Sequence, residues 1–227
     1  LRLGTADAGD AEADLALDAG FFSQGGFAGF VLDGRDFAEV ESDFVLAPSV
    51  ATFTPTRSLL EVASGQALAP HVALDGPSLR LPQALNLSIA SSGYGSNAPE
   101  GRLSVDAGAA LTLQPGASVS LSAATTLDFD GRIEAPGGSV TLALTRGAAG
   151  GTDYQTPHRL QLGDAARIDV SGTVQRTPSA DGLRRGRVLD GGRITLDADH
   201  AAPSSLVVRP GAVLQARGAS GVLDLTE

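Results

Sequence analysis

Apolar and polar residues alternate with a period of two along most of the chain, in brief runs separated by Gly, Asp, Asn, Pro or Ser. Because side chains two positions apart share one face of a strand, this alternation predicts many short strands, each with an aliphatic face turned inward. Tight turns at the intervening Gly and Pro residues would join them. The predicted inward positions are Leu103, Val105, Leu111, Leu113, Val119, Leu121, Leu127, Phe129, Val140, Leu142, Leu144, Leu160, Leu162, Ile168, Val170, Ile194, Leu196, Val213, Leu223 and Leu225.

Two short sequence units recur and interleave along the chain. The first, Leu-x-(Leu or Val)-x-(Pro or Asp)-(Gly or Ala)-Ala, occupies residues 111–117, 160–166 and 206–212. The second is a Gly, one further residue and an alternating strand, and it begins at Gly101, Gly138 and Gly192. A unit this short cannot bury its own inner face, so these repeats favour a solenoid in which each coil covers the next. We therefore predict an all-β fold, a parallel β-helix formed by residues 1–227 as a single repeat domain, with about nine or ten coils of roughly 20–25 residues each.

Two regions interrupt this rhythm. Residues 48–82 contain five prolines and little alternation, which predicts an excursion that leaves the β-helix, with one or two helical turns in residues 56–63. Residues 175–187 are polar with clustered Arg, and they predict a solvated loop between coils. The chain begins Leu1-Arg2-Leu3 without Met, and we interpret it as a segment of a longer protein.

Composition narrows the possible functions. Hydrophobic residues make up 42% of the chain but aromatic residues only 4%, so the core must consist mainly of Leu, Val, Ile and Ala. The absence of Cys excludes disulfides and thiolate metal sites. A formal net charge of −10 disfavours contact with nucleic acid and with anionic membrane surfaces. No apolar run approaches the ~20 residues that a membrane-spanning helix needs, so we expect no membrane insertion.

Three sequence strings carry a resemblance to a known family. They are FFSQGGF at residues 21–27, GRIEAPGGSVTL at residues 131–142 and ARIDVSG at residues 166–172. The first resembles a segment of the large filamentous haemagglutinin-like exoproteins, and the other two resemble their recurring "G-x-I-x-A-P-G-G-x-I-x-L" coil and "I-D-V-S-G" turn. The likeness extends over residues 15–227 and is weakest in residues 48–82. The first string is fairly specific, whereas the coil strings also occur in other β-helical adhesins.

The resemblance implies a fold, a location and partners. Such proteins form long right-handed parallel β-helices on the bacterial cell surface, after export through an outer-membrane transporter in two-partner secretion. Their roles include adhesion, aggregation and the carriage of a toxic C-terminal domain in contact-dependent growth inhibition. No secretion domain or toxin domain is recognisable in this chain, so the resemblance predicts a shaft segment whose partners are that transporter and host or neighbouring-cell receptors or glycans.

Two clusters of side chains are candidates for binding a partner. Four of the eight Phe residues, Phe21, Phe22, Phe27 and Phe30, fall within ten residues. They are predicted to stack between neighbouring coils, with a sticky patch for a partner as the alternative. Arg184, Arg185 and Arg187 form the only basic cluster, which is either a soluble loop or a grip for a phosphate or a sulfated glycan.

The best enzymatic candidate is the pair Asp128 and Asp130. Residues two apart on a strand share a face, so both carboxylates would point the same way while Phe129 points inward. Glycoside hydrolysis needs two carboxyl groups, one of them with a raised pKa, and burial or a like charge must raise it. Carboxylates that face water are not buried, so burial cannot raise their pKa. We therefore interpret the pair, like the acidic run in residues 33–43, as part of a solvated surface.

The remaining candidates carry no recognisable chemistry. His71, His158 and His200 lie far apart, no His-x-x-x-His pair exists, and we predict three solvated loop histidines rather than a metal site. Asn86-Leu87-Ser88 matches a glycosylation sequon, a pattern that arises readily by chance. The sequence therefore assigns no catalytic, cofactor-binding or metal-binding residue.

Three functions remain to be distinguished. The first is a structural shaft that presents other domains, including a growth-inhibition toxin. The second is an adhesin segment that binds glycans or proteins through its loops. The third is a β-helical enzyme that degrades polysaccharides, and it ranks last because it requires an open groove lined by paired carboxylates with aromatic or Arg subsites.

Overall fold

The computed structural model describes residues 1–4, 15–23, 27, 29–48, 52–55, 62–67, 69–75, 85–92, 101–145, 158–177, 183–198 and 204–224. These residues are mostly β-strand, with short 3₁₀ turns at Ala19–Ser23 and Ala69–His71. Within the described ranges, no helix is long and apolar enough to span a membrane. The predicted all-β class is confirmed.

Most strands belong to three parallel sheets, each given in its order of neighbours. Sheet 1 contains β3 (Gly29–Gly34), β8 (Asn86–Ser91), β11 (Ser118–Ala123), β14 (Ser139–Leu144) and β19 (Arg193–Asp197). Sheet 2 contains β2 (Ala16–Leu17), β1 (Arg2–Leu3), β4 (Phe37–Val40), β9 (Arg102–Val105), β12 (Thr126–Phe129), β15 (His158–Leu162) and β20 (Ser204–Val208). Sheet 3 contains β5 (Val45–Leu46), β10 (Ala110–Thr112), β13 (Arg132–Glu134), β16 (Arg167–Asp169) and β21 (Val213–Gln215).

The described residues run through sheets 1, 2 and 3 in the same order five times. We call each traverse a pass: β3–β5, β8–β10, β11–β13, β14–β16 and β19–β21. The prediction of nine or ten coils is therefore wrong for the described residues. In-register partners in sheet 1 are 21 residues apart between Ser118 and Ser139 but 57 apart between Gly29 and Asn86, because some passes are separated by insertions.

Alternation along most strands matches the predicted inward face. In β11 and β14 every second residue is buried, and Val119, Leu121, Val140 and Leu142 are at most 2% exposed. Every predicted inward position from Leu103 to Val170 is buried. Ile194 and Leu196, in the last pass, are only partly buried, as is Leu223, and Leu225 lies outside the described residues.

The predicted inward position is wrong in β21. Val213 pairs with Arg167 on the outer face of sheet 3, whereas its neighbour Leu214 pairs with the buried Ile168. Two apolar residues stand side by side here, so the local pattern does not fix which of them points inward, and the pairing with the previous pass decides it.

Glycines mark places where the backbones of two passes come too close for a side chain. A Cβ on Gly138 would collide with the carbonyl oxygen of Ala117, and a Cβ on Gly192 would collide with the carbonyl oxygen of Gly138. These contacts explain two of the three copies of the Gly-x-strand unit, those that begin at Gly138 and Gly192. Neither repeated unit marks one fixed position, however. The three copies of the first unit begin at Leu111, Leu160 and Leu206. Leu160 pairs with Leu206 in sheet 2, whereas Leu111 lies in sheet 3. The unit recurs in different sheets because the turns after both sheets use the same Pro, Gly, Asp and Ala residues.

Two antiparallel hairpins interrupt the passes. The first pairs β6 (Thr52–Pro55) with β7 (Val72–Asp75), inside the region predicted to be an excursion. The helical turns predicted for residues 56–63 lie mostly outside the described residues. The second hairpin pairs β17 (Thr173–Thr177) with β18 (Arg185–Leu189). The stretch 175–187 was predicted to be a loop, but its described ends are strands. Its side chains are polar like those of a loop, yet its backbone forms hydrogen bonds with the opposite strand, and this pairing makes it a hairpin.

Candidate functional site

Both members of the Asp128 and Asp130 pair contact neighbouring parts of the fold. Phe129 is buried between them, as predicted. Arg159 on β15 donates from Nη2 to both carboxylate oxygens of Asp128, at 2.9 and 2.8 Å. Asp130 accepts a hydrogen bond from the amide of Ala165 at 2.7 Å. The two carboxylates thus join β12 to the next pass, and this geometry is structural.

The histidines do not form a site within the described residues. His158 is 7% exposed on β15, so the prediction of a solvated loop histidine is wrong for it. It occupies an inward position in line with Leu160 and Leu162, and its Nε2 has no hydrogen-bond partner in the part of the chain that the structure describes. His71 is partly buried, and His200 lies outside the described residues. Across the part of the chain that the structure describes, no group of three or more His, Cys, Asp or Glu residues could hold a metal ion.

The Phe cluster divides into a buried part and an exposed part. Phe22 and Phe30 are 2% and 8% exposed, and Phe22 contacts Phe30 and Phe44 with ring centroids 4.9 and 6.0 Å away. These rings pack edge-on inside the protein. They lie between the N-terminal 3₁₀ turn and the first pass, and not between two neighbouring coils as predicted. Phe21 and Phe27 are 42% and 64% exposed, so the outer part of the cluster remains accessible.

The predicted basic cluster does not form a single site, because its members make separate contacts. Arg184 Nη2 lies 2.7 Å from Asp224 Oδ1, and the Arg184 amide donates to Oδ2 at 2.6 Å. These hydrogen bonds from Arg184 lower the pKa of Asp224 to about 2. Arg187 donates from Nε to the Gln175 side-chain oxygen at 2.6 Å across the hairpin. Arg184 therefore attaches residues 216–224, here called the tail, to the hairpin.

Part of the acidic run has a structural role. Arg2 Nε lies 3.5 Å from Glu39 and 3.2 Å from Glu41, so these carboxylates hold β1 beside β4 rather than forming a freely solvated edge. Asn86 of the sequon lies on β8, and its side-chain oxygen accepts a hydrogen bond from the Ser118 hydroxyl at 2.5 Å.

The candidate site is a shallow groove of about 220 Å³ on the outer face of sheet 3. In-register pairing places its side chains in two columns that cross β13, β16 and β21. Its lining side chains, column by column, are Arg132, Arg167 and Val213, then Glu134, Asp169 and Gln215. Ile133 and Ile168 lie between the columns and point into the core. The groove thus presents charged groups on a rigid sheet.

Its charges are unevenly paired. Arg132 forms an ion pair with Glu134 on the same strand. Asp169 is held by Ser171, whose amide donates to it at 2.8 Å. The pKa of Asp169 is lowered, mainly by a hydrogen bond from the Ser171 side chain and then by the Ser171 amide and the cations Arg217 and Arg132, against an opposing effect of burial. Arg167 is exposed, and its side chain has no ion-pair or hydrogen-bond partner among the described residues, although its amide donates to the carbonyl oxygen of Gly131.

Two short sequence strings supply most of the groove. Arg-Ile-Glu at residues 132–134 and Arg-Ile-Asp at residues 167–169 lie within two of the strings that resemble exoprotein coils. Their buried Ile residues predict strands. Ile133 pairs directly with Ile168 in the next pass, and this register places Arg132 beside Arg167 and Glu134 beside Asp169. The four charged residues form one groove only through that register.

Comparison with known proteins gives no match to a protein-family model, to a curated protein or to a solved structure. The function therefore has to be argued from the fold and from the chemistry of its surface.

Proposed function

We propose that this chain is a shaft segment of a secreted bacterial surface exoprotein of the filamentous haemagglutinin-like, two-partner secretion type. The shaft is a right-handed parallel β-helix without enzymatic activity, and it serves adhesion or contact between cells. The observation that carries this proposal is the repeated order of the three parallel sheets over five passes.

Each pass corresponds to one coil of the helix. Neighbouring parallel strands lie about 4.8 Å apart, so every added coil lengthens the structure by that amount without changing its cross-section. The inward columns continue from coil to coil, as Val119, Val140 and Ile194 do in sheet 1. Repeat architectures of this kind build extended surfaces, which suits a protein that must reach away from a cell.

The two hairpins support a role in presentation. Each is inserted between passes, and the strands before and after it keep their register, as Ile133 and Ile168 do with Leu214 in sheet 3. A β-helix can therefore carry appended recognition elements at little cost to its core.

Asp169 and Asp224 are unsuited to act as the general acid of a polysaccharide-degrading enzyme. A glycosidase needs a carboxylic acid whose pKa is raised. The pKa values of Asp169 and Asp224 are instead lowered, by hydrogen bonds from Ser171 and Arg184 respectively. Both groups are thereby kept ionised, as structural anions are.

Paired cysteines test the stacking of coils directly, since the chain has no native Cys. Ser120 and Thr141 are in-register neighbours on the outer face of β11 and β14. The double variant Ser120→Cys with Thr141→Cys should form an intramolecular disulfide on mild oxidation, because directly opposed residues lie within disulfide range. In the control, Ser120→Cys with Ala143→Cys, the second cysteine is displaced by two residues and should bridge far less. Equal yields in the two variants would rule out the in-register parallel stack.

Surface location is tested with an epitope inserted after Gly65. This glycine lies in an exposed turn at a φ of 88°, and an added Cβ there would have no atom within 4 Å, so an insertion is expected to be tolerated. We expect antibody to label intact cells of the source bacterium, and labelling to disappear when the outer-membrane transporter gene next to the coding gene is deleted. Labelling only after permeabilisation would contradict the proposal.

A further inference from the structure

We propose that the last pass binds a second copy of this chain, end to end, about a two-fold axis. The surface concerned is formed by the outer edges of β19, β20 and β21, here called the open end. This inference goes beyond the proposed function. It rests on the β-helical arrangement of the three sheets, but not on secretion or adhesion.

The open end combines unpaired strand edges with exposed apolar side chains. Among the described residues, no strand pairs with the outer edges of β19, β20 and β21. The inward residues Leu206, Val208 and Leu214 are exposed there. Unpaired edges present backbone N–H and C=O groups that the strands of another chain can satisfy, and apolar side chains gain free energy by leaving water. Both features favour the addition of strands that carry their own apolar face.

The opposite end of the β-helix is covered, which limits how two copies can join. The strands β1 and β2 extend sheet 2 beyond the first pass, and the 3₁₀ turn Ala19–Ser23 places Phe22 against Phe30 and Phe44. A head-to-tail stack, with the last pass of one copy on the first pass of the next, is therefore obstructed. Two copies can instead meet through the same open end, which makes the interface self-complementary and closed.

A two-fold axis at the open end determines which strands meet. An axis that lies in the plane of the interface and crosses the middle of one strand pairs that strand with its own copy, antiparallel. The same rotation pairs the strands of the other two sheets with each other. An axis through Thr195 thus pairs β19 with β19 of the second copy, and β20 with β21. Directly opposed residues of antiparallel strands point to the same side of the sheet, so the inward residues of both copies remain inward.

The sequence of β19 is complementary to itself in this arrangement. The strand is Arg-Ile-Thr-Leu-Asp, with Thr195 at its centre and both charged residues exposed. Antiparallel pairing sets Arg193 opposite Asp197 of the second copy, and Ile194 opposite Leu196. Two attractive ion pairs therefore flank the apolar contact and locally offset the repulsion between two chains that each carry a formal net charge of −10. An axis through β20 or β21 would not bring Arg193 opposite Asp197, so the charges select the axis through Thr195.

A single cysteine on the proposed axis tests the pairing. The chain has no native Cys, and Thr195→Cys places each thiol directly opposite its own copy, within disulfide range. We expect this variant to form a disulfide-linked dimer on mild oxidation. Thr141→Cys is the matched control, because Thr141 is the in-register partner of Thr195 one pass earlier and lies inside the sheet rather than at its edge. Equal yields of linked dimer from the two variants would overturn the proposal.

Charge reversal tests the register of β19. Arg193→Asp sets two aspartates opposite each other at both ends of the symmetric pair, so dimerisation should weaken about tenfold or more. Adding Asp197→Arg exchanges the two charges and should restore dimerisation. Arg102→Asp controls for the change in net charge, since Arg102 is also the exposed first residue of a strand but lies in the second pass. Far-UV circular dichroism and the melting temperature check that each variant folds. If the exchange does not restore dimerisation, the proposed pairing is wrong.

Sedimentation velocity of the 227-residue chain over a series of concentrations measures the association itself. We expect a reversible equilibrium that stops at the dimer, because the second copy covers the open end of the first. A monomer at every concentration would overturn the proposal, and so would an open-ended series of larger assemblies, which head-to-tail stacking gives. The Ser120 and Thr141 cysteine pair reports the stacking of passes within one chain, so a failure of the dimer is distinguishable from a failure of the β-helix.

Discussion

The first and last passes both carry apolar residues at their inward positions, but these residues are buried to very different extents. In the first pass, Phe30, Val40 and Leu46 are at most 8% exposed. In the last pass, the inward residues Leu206, Val208 and Leu214 are 46%, 49% and 40% exposed. Their in-register partners one pass earlier, Leu160, Leu162 and Ile168, are at most 1% exposed. The difference therefore arises from what lies on the outer side of each pass.

The first pass is covered by the N-terminal residues. The strands β1 and β2 extend sheet 2 beyond β4, held in part by Arg2. The 3₁₀ turn Ala19–Ser23 places Phe22 against Phe30 and Phe44. In the described part of the chain, no strand pairs with the outer edges of β19, β20 and β21. A pass in this architecture is thus buried only when it has a neighbour on both sides.

The largest expected effect contrasts a middle pass with the last one. Leu142→Asp should destabilise the protein by about 3–5 kcal/mol or prevent folding, because it leaves an unpaired charge in the core. Leu206→Asp should cost about 1 kcal/mol or less, since that side chain already meets water. Chemical denaturation measures both. Thr141→Asp, on the outward face beside Leu142, should be nearly neutral, and an effect as large as that of Leu142→Asp would contradict the alternation.

The second contrast concerns the covering of the first pass. Phe22→Ala should cost about 3 kcal/mol, because it removes a buried ring that packs against three others. Phe21→Ala, beside it in sequence but 42% exposed, should cost less than about 1 kcal/mol. Denaturant midpoints compare the two. If they destabilise equally, Phe22 does not close the first pass.

Sequence alternation predicts the direction of most side chains, though not that of Val213, and it does not predict their depth. Val140 and Ile194 are in-register partners with the same pattern around them, and both were predicted to be core. Val140 is fully buried and Ile194 only partly, because burial depends on the neighbouring passes, which a local pattern does not contain. For the same reason Ile194→Asp should be milder than Leu142→Asp.

The candidate site was not predictable for a related reason. Asp128 and Asp130 are only two residues apart, so the sequence alone indicates them as a pair. In the structure Arg159 binds one carboxylate and the Ala165 amide binds the other, so the pair is structural. The groove depends on Arg132 and Arg167, which are 35 residues apart and meet only through the register of β13 with β16. That separation is set by the insertion between two passes and not by any regular period.

The smallest effect concerns the hydrogen bonds that hold the tail after the last pass. The pKa of Asp224 is about 2 in the folded protein, against an ordinary value of 3.8. A carboxyl group whose pKa is lowered by folding contributes stability above its ordinary pKa and loses that contribution as the pH falls through the folded value. Amide hydrogen exchange in residues 216–224 should therefore lose protection between about pH 4 and pH 2, after correction for the intrinsic exchange rate. Asp224→Asn should remove this pH dependence, whereas Asp164→Asn, at an exposed turn, should keep it. The last pass itself should not respond to this change of pH. Arg184 attaches the tail to the hairpin and not to the open face of the last pass, so Leu206 and Val208 should be equally exposed at about pH 4 and at about pH 2. A simultaneous loss of protection in β20 would show that the tail also supports the last pass.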